Sequence, residues 1–376
     1  MVSNETGTTK RHSRIQIDEN QRFLMMDSLR AFFGNVCRAI WYFVCKAAEL
    51  TLWSFEILAE LATPKGKCRS TSTLYGKTAV ITGANNGIGK ITARDFFTRG
   101  ARVIMACRNL DLAEEAQNDI KKDCENIPNC GELLITKLDL SSLESVRKCA
   151  KHLLETENEI SLLINNAGVM MCPYSKTEDG YELQFATNHL GHFLLTVLLL
   201  PKIIRSAPAR IVTVSSLAHK GGEIMLDDLN WEKRPYDSLH AYQQSKLANI
   251  LFSRELARKL KDANIQGVNT YSLHPGVIAT DLVRHKTENP VTKLLWTYIA
   301  KPMIKTPEQG SQTTIYCAID EKCENETGLY YSNCKVKEPS KEAKDDEMAG
   351  LLWDVSMKMV KLNGNYNCFQ VSNTSL

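Results

Sequence analysis

No C-x-x-C pair occurs among the twelve cysteines of this chain, and none has a companion histidine at zinc-type spacing, so a cysteine-based metal site is excluded. Scattered from Cys37 to Cys368, they read as reduced thiols packed as small apolar side chains, which suits a cytosol-facing protein better than a disulfide-stapled one. Charge of one sign is equally scarce. Lys plus Arg number 46 against 43 Asp plus Glu, so no basic field marks a nucleic-acid partner. Nor is there an uninterrupted apolar run of the ~20 residues that a spanning helix needs. The apolar fraction of 43% is ordinary and sufficient to bury a sizeable core.

Residues 1–21 are polar, mixed in charge and without apolar periodicity, which predicts disorder. Residues 22–63 are rich in Phe, Trp, Leu, Ile and Val but interrupted by charges. On a wheel of about 100° per residue, Arg38, Lys46, Glu49, Glu56 and Glu60 fall on one narrow stripe. A long helix with such a stripe suits an amphipathic, membrane-associating anchor lying in the interface. The alternative is a helix packed on the enzyme or on a second subunit, and a homodimer stays open. Residues 64–73 read as a linker.

From residue 74 to 362, short β-rich runs alternate with longer helical ones. Lys77–Thr82, Arg102–Cys107, Glu132–Leu138, Ser161–Asn165, Arg210–Val214 and Gly267–Ser272 read as buried strands. Helical stretches such as Ile91–Thr98, Leu112–Lys122 and Ser142–Glu155 separate them. This rhythm predicts an α/β fold, a doubly wound, Rossmann-like parallel sheet, whose ligand-binding loops gather at one edge. Lys335–Glu347 is charge-dense, Met348–Leu362 reads as a closing amphipathic helix, and residues 363–376 as a loose tail.

Directly after the first strand comes Thr82-Gly83-Ala84-Asn85-Asn86-Gly87-Ile88-Gly89, opening a helix. Glycines at 83, 87 and 89 permit a tight turn and let a pyrophosphate approach backbone N–H groups at the positive end of that helix. NAD enzymes carry an acid at the end of the second strand, where it bonds the adenosine ribose. Here that position is Cys107, followed by Arg108, whose guanidinium suits a 2′-phosphate. The pattern favours NADP(H), with a solvated surface charge as the competing reading of Arg108.

Tyr242 and Lys246 stand four residues apart, on one helix face. A free phenol titrates near pH ~10 and is a poor acid–base catalyst at neutrality. A cation at about 4 Å, at an effective dielectric near 20, is worth on the order of 4 kcal/mol, or about three pKa units before opposing effects. The same spacing recurs at Tyr42/Lys46 and Tyr331/Lys335, so context must choose. Only the 242 pair follows a strand ending in Val214-Ser215-Ser216. Ser216 is the candidate for stabilising charge on a carbonyl oxygen, unless either serine simply caps the strand end.

Together these residues resemble the short-chain dehydrogenase/reductase family over roughly residues 75 to 330. The match is carried by the Thr82–Gly89 turn, Asp139, Asn165-Asn166-Ala167-Gly168, Asn188-His189-Leu190-Gly191, Ser216, Tyr242/Lys246 and His274-Pro275-Gly276. The resemblance implies that Asp139 contacts the adenine, that Asn166, Ala167 and Gly168 support the cofactor, that Pro275 and Gly276 bind the cofactor, and that Thr280 binds the nicotinamide carboxamide. It further implies that Asn188 holds a water in a proton relay and that Lys246 bonds the nicotinamide ribose. The stretch from Asn165 to Tyr174, with Asn188–Thr196 and Ser245–Asn249, is similar to the retinol dehydrogenase/retinal reductase branch, whose members are membrane-bound and mostly prefer NADP(H).

Two segments depart from the simplest pattern. The N-terminal extension is long, and so is the insert between Ser216 and Tyr242, which either walls the substrate site or forms a surface loop. Leu282–Ile304 reads either as an apolar lid or as core packing. An apolar lid beside an anchor predicts a lipophilic aldehyde or ketone as substrate, retinal first. A steroid, polyprenol or other lipid carbonyl is the alternative, and a silent nucleotide-binding scaffold is the reading of another class. The expected location is the endoplasmic reticulum membrane, with the catalytic domain facing the cytosol.

Overall fold

Five successive residues of the run Thr78-Ala-Val-Ile-Thr82 are buried on both faces, the signature of a central strand in a covered parallel sheet. This strand, β1 (Thr78–Thr82), pairs in parallel with β2 (Arg102–Cys107) and β4 (Leu162–Asn165). The computed structural model describes residues 63–278, 305–362 and 366–370, all within the unit Ile57–Leu376. Among these residues the sheet has eight strands in the order β3-β2-β1-β4-β5-β6-β7-β8. The remaining members are β3 (Glu132–Lys137), β5 (Ala209–Val214), β6 (Val268–His274), β7 (Leu329–Ser332) and β8 (Lys335–Val336). All neighbours are parallel except β7 and β8.

Side chains alternate across each strand, so one strand feeds two cores. Val80 joins a core with the helices α3 (Leu143–Thr156), α4 (Gly191–Arg205), α5 (Ser238–Asp262) and α7 (Asp346–Met359). Ala79 and Ile81 point the other way, to α1 (Gly87–Thr98), α2 (Leu110–Asp123) and α6 (Pro307–Ile319). The doubly wound architecture expected from the sequence is therefore the one observed. Strand order reverses between β1 and β4, which opens the crevice where ligands bind in such sheets.

Several elements differ from the expectation. β7 and β8 were not foreseen: Tyr331 and Lys335 lie in this antiparallel pair, Tyr331 buried and Lys335 exposed, so their spacing places no pair on a helix. The stretch read as a linker is docked. The Arg99 guanidinium donates to the carbonyls of Ser70 and Ser72 at 3.0 and 2.9 Å, and Cys68 is buried. Residues 366–370 are not a loose tail either, because Cys368 is 2% exposed and the Phe369 ring stacks on Trp353 at 6.2 Å. Both segments cover apolar surface that would otherwise meet water. The ten cysteines among the described residues are all free, and eight of them are buried. The anchor helix (22–63), Thr280 and the lid segment (282–304) fall outside the described residues, apart from Thr63.

Candidate active site

The turn after β1 is built for close approach. Gly83 has φ +66, and a Cβ there would lie 2.9 Å from that of Ala167. A Cβ on Gly89 would lie 2.3 Å from the Gly83 carbonyl oxygen and 2.6 Å from Nδ2 of Asn166. Asn86 caps α1, its side-chain oxygen accepting from the Gly87 N–H at 2.6 Å, and Ile88 is half-buried against the start of α6 near Gly310. The turn is tied to β4 by Asn166, whose amide donates to the Thr82 carbonyl at 2.8 Å. The backbone N–H groups of Asn166 and Ala167 both donate to the Thr82 hydroxyl, at 2.9 and 3.0 Å. Glycine backbone at a helix N-terminus with no room for side chains fits a dinucleotide pyrophosphate.

Beneath this turn lies Cys107, buried, its thiol pushed up to about 11 by burial despite hydrogen bonds to the Ala84 and Asn85 backbone. Arg108 follows, exposed at the sheet edge. Lys137, at the end of β3, donates to the Arg108 carbonyl at 2.6 Å and brings a second cation that sequence reasoning had missed. Its register opposite Cys107 could have revealed it. Asp139 is half-buried, with Oδ1 accepting from the Ser141 N–H and hydroxyl at 2.9 and 2.6 Å, so its carboxylate caps the turn after β3.

Tyr242 and Lys246 lie on α5 beside the end of β5, both buried. The Lys246 ammonium stands 5.6 Å from the centre of the phenol ring and donates to the Val214 carbonyl at 3.2 Å. The expected fall in the Tyr242 pKa does not occur. Burial pushes the phenol up to about 12, opposed by a hydrogen bond with Ser216, and lowers Lys246 to about 8. Desolvation of each group outweighs their pairing at this separation. Of the two serines, Ser215 is spent on the Lys246 carbonyl at 2.6 Å, whereas Ser216 is half-buried next to Tyr242.

Asn188 sits in a π-helical turn, Ala186–Leu190, that leads into α4. Its amide donates to the Val169 carbonyl and the Ser245 hydroxyl, both at 2.9 Å, and its oxygen accepts from the Val169 N–H at 2.8 Å. Gly168 lies between: a Cβ there would be 3.1 Å from Oδ1 of Asn188 and 3.4 Å from Nζ of Lys246. Across the cleft Gly276, at φ +100, follows the buried Pro275. The structure thus brings Asn188, Gly168, Tyr242, Lys246 and Ser216 to one edge of the sheet. His192, unnoticed in the sequence, joins this centre to the glycine turn: its Nδ1 donates to the Asn188 carbonyl at 2.9 Å and its Nε2 accepts from the Thr82 hydroxyl at 2.8 Å.

Comparison with known proteins agrees with this geometry. A family model described as short chain dehydrogenase matches residues 77–291. The chain is 48% identical to human retinol dehydrogenase 12 over 78% of its own length and 90% of that protein. It is 46% identical to human retinol dehydrogenase 14, over 77% and 88%. Among solved structures, an uncharacterised Mycobacterium paratuberculosis protein aligns at TM-score 0.61 and 36% identity, covering 77% of this chain and 95% of its own. An NADP active-site complex of Pseudomonas aeruginosa RhlG aligns at TM-score 0.54 and 25% identity, over 69% and 94%.

Proposed function

The chain belongs to the short-chain dehydrogenase family and is an oxidoreductase that uses a nicotinamide cofactor; from this premise we propose that it reduces a lipophilic aldehyde, retinal before others, with NADPH. One observation carries the reading: Tyr242, Ser216 and Lys246 share an edge with a glycine turn that has no room for side chains. Bound NADPH would lie along Gly83, Asn86, Gly87, Ile88 and Gly89, with Arg108 at its 2′-phosphate, and would supply the hydride. Tyr242 then gives its proton to the carbonyl oxygen, and the Ser216 hydroxyl hydrogen-bonds that same oxygen. Burial keeps the Tyr242 phenol protonated at working pH, the form from which reduction starts.

Retinal is favoured because the relatives at 46–48% identity bear the name retinol dehydrogenase. NADPH is favoured by Cys107 where an NAD enzyme would hold an acid, with Arg108 and Lys137 beside it. The amphipathic stripe of residues 22–63 supports a membrane surface as the site of work, and the free thiols support a cytosolic face.

The test uses membranes bearing the full chain, given all-trans-retinal, a steroid ketone or a polyprenal, each with NADPH or NADH. Retinal turnover is expected to be fastest with NADPH. Arg108→Ala is expected to raise the KM for NADPH about 10- to 100-fold, the loss of a charge-assisted contact, and to leave that for NADH nearly unchanged. Preference for NADH would refute the role of Arg108, and turnover of the other carbonyls alone would refute the retinoid assignment.

A further inference from the structure

The peptide bond after Ser216 is gripped by an imidazole on each side. Its carbonyl oxygen, that of Ser216, accepts from Nδ1 of His219 at 2.7 Å. Its N–H, that of Leu217, donates to Nδ1 of His274 at 3.1 Å. A carbonyl only accepts and an amide N–H only donates, so these partners fix both tautomers: His219 carries its proton on Nδ1 and His274 on Nε2. The remaining acceptor of His219, Nε2, takes the backbone N–H of Ser340 at 3.1 Å, and its ring packs on Tyr330 at 4.9 Å. The two imidazoles are 0% and 3% exposed. Burial and the neighbouring Lys305 lower the His274 pKa to about 3, so its acceptor nitrogen stays available at any working pH.

This peptide sets the ψ angle of Ser216, observed at 160° with φ −157°. Backbone angles in turn decide which side-chain rotamers are open. The Ser216 hydroxyl oxygen accepts from the Ala218 N–H at 3.2 Å, so its own hydrogen is left to be donated toward Tyr242 or a substrate oxygen. Aim at that point decides how well a developing negative charge is held. The Ser216 carbonyl also accepts the His219 backbone N–H at 3.2 Å, where the 3-10 turn Leu217–Gly221 begins; no glycine or proline fixes the backbone there, and the two imidazoles, from the turn after β5 and the end of β6, add a side-chain hold at each end of the peptide.

We infer that His219 and His274 are positioning residues which clamp the Ser216–Leu217 peptide from both ends and thereby aim the Ser216 hydroxyl at the carbonyl oxygen. The inference rests on the proposed role of Ser216. Asparagine places an amide near the position of an imidazole Nδ1, so His219→Asn keeps a donor and His274→Asn keeps an acceptor. Leucine at either site keeps neither.

The experiment is a double-mutant cycle on the full-length, membrane-borne chain with retinal and NADPH, each Leu or Asn substitution being made in the native and the Ser216→Ala backgrounds. Ser216→Ala alone is expected to lower kcat on the order of 10²-fold. Each Leu variant is expected to lower kcat at least about tenfold with the KM for NADPH within about twofold, and each Asn variant to recover most of that loss. In the Ser216→Ala background the Leu variants are expected to cost nothing further. Losses that multiply in both backgrounds, Asn variants as poor as Leu, or Leu variants that no longer bind NADPH would each overturn the clamp while leaving the role of Ser216 intact. An undiminished Ser216→Ala enzyme would instead remove the role of Ser216, and the clamp with it.

Discussion

Burial moves the two members of the Tyr242–Lys246 pair in opposite directions, the phenol up to about 12 and the ammonium down to about 8. The consequence for pH dependence follows from the sign of the second shift. Below about pH 8 Lys246 is charged, and above it the charge is lost while Tyr242 is still protonated. The kcat/KM for reduction, which reports the free protein, should therefore fall on the alkaline side with an apparent pKa near 8, and a profile flat to pH 10 would exclude Lys246 as the titrating group. At this scale the sequence was informative about identity and less so about environment. The glycine turn was legible as a local motif, Ser216, Tyr242 and Lys246 from their place after the strand ending at Val214, and Asn188 through the family resemblance. His192, His219 and Lys137 were not, because their partners come from distant segments that only folding brings near.

At the scale of elements, α7 seals the face formed by α4 and α5. Trp353 is 5% exposed, with its ring edge-on to Phe193 at 5.0 Å and stacked on Phe252 at 5.9 Å. Behind it, Ser356 hydrogen-bonds His189 of the π-helical turn at 2.9 Å, so the closing helix reaches the element that carries Asn188. Trp353→Ala should cost about 3–5 kcal/mol of stability, read from the urea midpoint. A shift equivalent to less than about 1 kcal/mol would mean that α7 is a dispensable appendage. The first six strands were readable from β-rich runs bounded by turns. β7 and β8 were not, since Leu329–Ser332 is four residues long and its burial is decided by pairing with β6, which periodicity cannot reveal.

For the whole molecule, the sheet order puts the glycine turn and the helix that carries Tyr242 and Lys246 on opposite sides of the β1/β4 switch point, and the buried His192 imidazole links the turn to Asn188, which in turn bonds Ser245 of that helix. His189, His192 and His274 are held neutral by burial, with pKa values lowered to about 3, 4 and 3. The unfolded chain takes up these protons near pH 6.5 and the folded one does not, so stability present above that pH is lost as pH falls toward 4. Each histidine contributes up to about 1.4 kcal/mol per pH unit in this window. Urea unfolding between pH 7 and 4 should show the midpoint falling steadily, and a constant midpoint would mean that the imidazoles are protonated in the fold.

The central claim is that a buried phenol delivers the proton to a carbonyl beside the dinucleotide site. Its most direct test is single-turnover reduction of all-trans-retinal by Tyr242→Phe with saturating NADPH, beside the unmodified chain. A rate lower by about 10²- to 10⁴-fold with NADPH affinity unchanged is the predicted result; turnover equal to that of the unmodified protein would contradict it.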